Sequence, residues 1–178
     1  AYVYTSEDGQ NTPAQVVSNN AYDGAGSLGG EGAVSIQADK ELLNGQLSGN
    51  DFTFIVTDKN EAEVTRGTND ASGKITFNEV AYTTDKLIAD LASGAASYDA
   101  DSSTYTYQYE VTENTSNFQD MGVIANVAHF NITVTVKDNG DGTLTTAVDY
   151  GQYGDGLTFQ NTYGTGADIA VNVGGTKE

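Results

Sequence analysis

TYTYQYEVTE, residues 104–113, decides how this chain is read. Tyr105, Tyr107, Tyr109, Val111 and Glu113 fall on one side of an extended segment, and the intervening polar residues fall on the other. This is the two-residue period of a strand with one face in a core. The strand therefore ends with a carboxylate on its aromatic side. The same period recurs outward in both directions. Val34, Ile36, Ala38 and Lys40 alternate with Ser35, Gln37 and Asp39, which puts a lysine in phase with apolar residues. FTFIVT (52–57) and residues 63–67 predict two more strands, and the turn NDASGK (69–74) leads into ITFNEV (75–80). HFNITVTV (129–136), the glycine turn KDNGDGT (137–143) and LTTAVDY (144–150) predict a hairpin, and LTFQNTY (157–163) is the closing strand. Residues 84–92, TDKLIADLA, break the pattern: Leu87, Ile88 and Leu91 recur at helical spacing behind a threonine cap, with Gly94 as the stop.

Short strands with turn signals between them and a single helical insertion predict an all-β fold, an immunoglobulin-like antiparallel β-sandwich with one short helix inserted. The 178 residues divide into a leader at 1–32 contributing an edge strand, a sandwich at 33–163, and a linker at 164–178. That linker also opens a following repeat, because AVNVGGTKE (170–178) repeats the pattern of AVSIQADKE (33–41) and aligns Lys177 with Lys40.

Composition narrows the function. Seven basic residues against 25 acidic ones give a net charge of -18, which repels phosphate backbones and excludes nucleic acid as a partner. With no cysteine and a single histidine, neither a disulfide framework nor a cysteine-ligated metal is available, and no cofactor is expected. No apolar run reaches the roughly 18 residues of a membrane span, so no membrane insertion is expected of this fragment.

Polar residues in phase with a core are the candidates for chemistry, and there are three: Lys40, Glu113 and Asn161. Burial pushes a lysine toward the neutral amine and a glutamate toward the neutral acid. A neutral amine is a nucleophile. A carboxamide held against it becomes a competent electrophile when an acid hydrogen-bonds its oxygen and shuttles protons to the departing ammonia. The product is a lysine-to-asparagine isopeptide bond. Phase favours Glu113 over Glu110, which lies on the polar side of the same strand.

Several motifs together resemble a known family. KELLNGQLSGNDFTFIVTD (40–58), YTYQYEVTE (105–113), TFQNTY (158–163) and the turns NDASGKITF (69–77) and NGDGT (139–143) look like the streptococcal pilin isopeptide domains of Gram-positive backbone and shaft pilins. The resemblance implies a covalent bond between Lys40 and Asn161, promoted by Glu113 and made once without a cofactor. It also implies an extracellular place in the cell wall or pilus of a Gram-positive bacterium. Neighbouring pilin subunits or tandem domains are the implied partners, and the resemblance admits a host-surface ligand. Lys177 resembles the reactive lysine of a second copy. The alternative is an adhesive or carbohydrate-binding β-sandwich module, which exposed aromatics clustered on one face would favour.

Other signals read as structure. DNGDG (138–142) lacks the spacing of a calcium loop, so no metal site is expected there. The glycine-rich stretch 24–32 reads as a linker, His129 as an ordinary histidine without an acidic partner, and Tyr105, Tyr107 and Tyr109 as core packing rather than a sugar platform.

Overall fold

The computed structural model describes residues 32–164. The expected leader strand and the repeat around Lys177 lie outside these residues. The strands are β1 (Gly32–Val34), β2 (Ala38–Leu43), β3 (Thr53–Asp58), β4 (Glu63–Asn69), β5 (Lys74–Phe77), β6 (Val80–Tyr82), β7 (Ala96–Asp99), β8 (Thr104–Glu113), β9 (Val123–Val127), β10 (His129–Asp138), β11 (Leu144–Asp149) and β12 (Leu157–Tyr163). Helix α1 (Thr84–Ser93) joins β6 to β7, and the one-turn helix α2 (Phe118–Met121) joins β8 to β9.

One long sheet runs β11-β10-β8-β3-β4-β5-β2-β12-β9, with β7 attached to β8. It curls until its two halves face one another, so a single sheet supplies both layers of the sandwich. The ladder is short between β2 and β5, which share only two paired positions, Ala38 with Ile75 and Asp39 with Lys74. Aromatic contacts span the two layers: Phe159 on β12 lies 4.8 Å from Phe54 on β3 and 4.8 Å from Phe130 on β10. The Tyr105-Tyr107-Tyr109-Val111-Glu113 face is buried throughout, as its period requires.

Two expected strands are each divided in the structure. Residues 33–41 alternate in burial without interruption, but they form β1 and β2 separated by residues 35–37. There the Gln37 amide donates to the Tyr150 hydroxyl at 2.7 Å, so the chain leaves one ladder and enters another. ITFNEV likewise divides into β5 and β6, and β6 pairs with β1 in a separate two-stranded sheet. The expected antiparallel order has one exception: β2 and β12 run parallel, with Lys40 opposite Phe159 and Leu42 opposite Asn161.

The helix follows its sequence signals. Thr83 caps it by accepting from the Lys86 amide, and Gly94 ends it in the left-handed conformation with φ 76°. Leu87 is fully buried while Ile88 points outward, so the helix rests on a narrower stripe than its apolar spacing suggests. Beneath it, the Tyr82 and Tyr109 hydroxyls share a hydrogen bond of 3.0 Å. Burial pushes the Tyr82 phenol up to about 12 and drives Tyr107 and Tyr109 well above the usual phenol range, so all three stay protonated.

Candidate functional site

Lys40, Glu113 and Asn161 come together inside the sandwich. Lys40 projects inward from β2 and Asn161 from the adjacent parallel strand β12, two residues beyond the position opposite the lysine. Glu113 ends β8 in the opposing layer, where it pairs with Phe54 of β3. All three are buried, Asn161 completely. Alternation thus delivers each side chain to the core, and the curl of the sheet delivers Glu113 to the other two.

The contacts converge on one atom. Lys40 Nζ lies 2.9 Å from Glu113 Oε1, and Asn161 Nδ2 donates to the same oxygen at 3.0 Å. The lysine contact is short but poorly aligned for a hydrogen bond, so the ammonium is incompletely satisfied. Glu113 Oε2 and Asn161 Oδ1 are also buried without a hydrogen-bond partner among the described residues. Burial pulls the Lys40 amine below its ordinary range, opposed by the Glu113 carboxylate. Burial likewise pushes the Glu113 acid above its usual range, opposed by Lys40 and then Asn161. Both shifts favour the uncharged forms, an amine and a carboxylic acid. The opposite arrangement, a buried ion pair, recovers its desolvation cost only when the remaining hydrogen bonds are made, and here several are not.

Three residues that sequence reasoning missed position the lysine. Phe52 places its ring 4.7 Å from Lys40 Nζ, a cation–π contact while the amine is charged and an apolar wall once it is neutral. Gly73 accepts the Lys40 amide at 2.7 Å through its own carbonyl. It holds φ +94°, and a Cβ there would stand 2.3 Å from the Lys40 carbonyl oxygen, so only glycine fits. Asn69 ties these two parts together: its Oδ1 accepts from the Phe52 amide at 2.9 Å, and its Nδ2 donates to the carbonyls of Ser48 at 2.8 Å and Asp70 at 2.9 Å. Asn69 is 1% exposed, on the same inward face of β4 as Thr65 and Gly67. The period-two argument that singled out Glu113 finds Asn69 when it is carried to the end of that strand.

A cleft of about 370 Å³, lined by Leu42, Phe52, Met121, Val123 and Tyr163 among others, opens at this end of the sandwich. It borders the triad through Phe52, the ring beside Lys40, and Leu42, the register partner of Asn161. Glu110 stands apart, half-exposed and paired with His129 Nδ1. That pair corrects the expectation of a histidine without an acidic partner: Thr112, not Glu110, is the register partner of His129, so the contact is diagonal and invisible in a linear motif.

The fold and site define a cysteine-free β-sandwich whose first and last long strands lie side by side, with an amine, an acid and a carboxamide buried between the layers. The chain belongs to the family of Spy0128-like isopeptide-containing domains, whose profile matches residues 36–164. It is a structural domain of the pilin class. Among solved structures it is similar to the major pilin T-13 from Streptococcus pyogenes serotype GAS131465, with 12% identity and a TM-score of 0.36 over 74% of this chain and 54% of that one. It is also similar to a point mutant of the Streptococcus pyogenes major pilin, with 13% identity and a TM-score of 0.39 over 74% of this chain and 50% of that one. The chain thus spans about half the length of these pilins. No curated protein matches it significantly.

Proposed function

We propose that this domain is a load-bearing section of an extracellular pilus or fibrous adhesin, and that it joins Lys40 to Asn161 by an isopeptide bond of its own making. The observation that carries the reading is the shared oxygen. Glu113 Oε1 touches both the nitrogen that attacks, at 2.9 Å, and the nitrogen that leaves, at 3.0 Å. With the amine neutral and the acid protonated, Lys40 Nζ adds to Asn161 Cγ while the acid supplies a proton to the carboxamide oxygen. The carboxamide must turn its oxygen toward Glu113 for this step, a rotation about its last torsion that exchanges Oδ1 with Nδ2. Glu113 then takes a proton from the attacking nitrogen and passes it to the Asn161 amino group. As the intermediate collapses, ammonia leaves and the hydroxyl proton returns to Glu113, so one C–N bond has replaced another and the glutamic acid is regenerated.

The reaction runs once per molecule and needs no metal or cofactor. Its product closes a loop of about 120 residues, which removes roughly 5 kcal/mol of chain entropy from the unfolded state on the chain-entropy model. The sandwich at 33–163 is the bonded unit, and Lys177 is the corresponding lysine of a following repeat. Neighbouring subunits or tandem domains are its partners along the fibre.

Intact mass tests the reading. The folded protein is lighter than its sequence mass by one ammonia, about 17 Da, and digestion yields one branched peptide joining Lys40 to Asn161. Separate, unmodified Lys40 and Asn161 peptides from the folded protein would overturn it.

A further inference from the structure

The chain contains two Asn-Gly dipeptides, Asn44–Gly45 and Asn139–Gly140, and the structure treats them in opposite ways. An asparagine before glycine is chemically exposed because no Cβ hinders the glycine nitrogen from reaching the asparagine side-chain carbon. In the β10–β11 turn that approach is blocked. Asn139 Nδ2 donates to the hydroxyls of Thr143 and Thr145, both at 2.9 Å, and the Thr145 hydroxyl donates back to Asn139 Oδ1 at 3.3 Å. The Gly140 amide donates to Asp138 Oδ1 at 2.8 Å, which aims it away from the Asn139 carboxamide. Both reacting groups are therefore held by other partners.

Asn44 has none of this. It follows the last residue of β2, is exposed, and adopts φ 60°, a left-handed conformation that asparagine tolerates. Among the described residues, neither its carboxamide nor the Gly45 amide is assigned a hydrogen bond. Gly45 also lines the cleft beside Leu42 and Tyr163.

We propose that Asn44–Gly45 is a site of spontaneous succinimide formation and deamidation, and that Asn139–Gly140 is protected by its turn. Gly45 N attacks Asn44 Cγ, the new C–N bond closes a five-membered imide, and the displaced amino group leaves as ammonia carrying the Gly45 amide proton. Water then opens either C–N bond of the imide, giving aspartate or isoaspartate. Either product adds a negative charge to the net -18, at the mouth of the cleft. Isoaspartate also inserts a methylene into the backbone four residues after Lys40.

The imide has a diagnostic consequence. It loses one ammonia, as the Lys40–Asn161 bond does, so a mass deficit of about 17 Da cannot by itself distinguish the two. The proposal is independent of the isopeptide reading, and fragment ions separate them: the imide is confined to Asn44–Gly45, whereas the isopeptide bond joins two peptides.

The experiment is an ageing series of the folded full chain in mildly alkaline water enriched in ¹⁸O, digested and sequenced by fragment ions. Asn44 is expected to gain about 1 Da beyond the isotope label at least about tenfold faster than Asn139, the slowing expected when a charge-assisted hydrogen bond must break first. In denaturant, where the turn is lost, the two rates should converge. Gly45→Ala should suppress conversion at Asn44, and Asn44→Gln provides a second variant should the added methyl disturb Leu42. Equal rates at Asn44 and Asn139 in the folded chain, or faster conversion at Asn139, would overturn the proposal.

Discussion

Replacing Glu113 with glutamine keeps the shape of the side chain and an oxygen for the Asn161 amino group, but removes the acid that touches both nitrogens and is placed to move protons between them. The folded variant should therefore retain its ammonia and show the full sequence mass. Its stability should fall by the worth of the cross-link, roughly 5 kcal/mol for a loop of about 120 residues. A domain of about 130 residues unfolds with an entropy near 0.27 kcal/mol/K, so the melting temperature should drop by about 18 °C. Lys40→Met removes the same bond and also the buried amine, so its drop should be similar or smaller. Because either substitution alone abolishes the single bond, the double variant should lose little more than either one, a strongly non-additive pair. Differential scanning calorimetry on samples first weighed by mass spectrometry gives both readouts. A variant that still loses about 17 Da into a Lys40–Asn161 branched peptide would refute the proton shuttle. A variant at full mass that melts with the wild type would refute the loop-closure argument.

Three further outcomes follow from the site. In a variant slow enough to be followed, bond formation should show a bell-shaped pH dependence: the rate falls in acid because the amine keeps its proton, and in base because Glu113 loses its own. The neutral pair and the ion pair bind the same number of protons, so the rate between the two limbs should be flat. Asn69→Ala leaves the buried Phe52 amide without its 2.9 Å acceptor and should cost about 1–3 kcal/mol. Its bond formation, followed as mass against time well below the melting temperature, should also be slower. The Glu113→Gln background then isolates the purely structural part of that loss. Gly73→Ala must leave φ +94° and move a methyl off the Lys40 carbonyl, so unreacted protein should accumulate on intact-mass analysis.

Much of the site was legible because a period of two maps sequence position onto the core side without knowledge of the topology. Lys40, Glu113 and Asn161 each declare themselves as polar residues in an apolar phase, and all three are buried. Tyr163 shares that phase but lies at the strand end, on the rim of the cleft, and it is about half exposed. Strand pairing was harder to read. That β2 and β12 are parallel neighbours depends on how the sheet curls, which is set by contacts such as Phe159 on Phe54 and Phe130 that are remote in sequence. β9 was missed because VIANV is short and mostly exposed, stabilised as an edge strand by its ladder to β12 rather than by an apolar face of its own. The roles of Gly73 and Asn69 depend on distances across a turn. Composition reveals the turn but not what it touches.

The parallel pairing of β2 with β12 also bears on how far the domain can lengthen. Pulled from its two ends, an unlinked sandwich would release every residue between those strands, about 120 of them, as roughly 400 Å of slack chain. A bond at Lys40 and Asn161 excludes that interval from the contour. The pull then passes between neighbouring strands through one side-chain bridge, and only the segments before Lys40 and after Asn161 can straighten. With that bond in place, a fibre of such domains would behave under load as a chain of fixed-length links, its give set by what lies between the links.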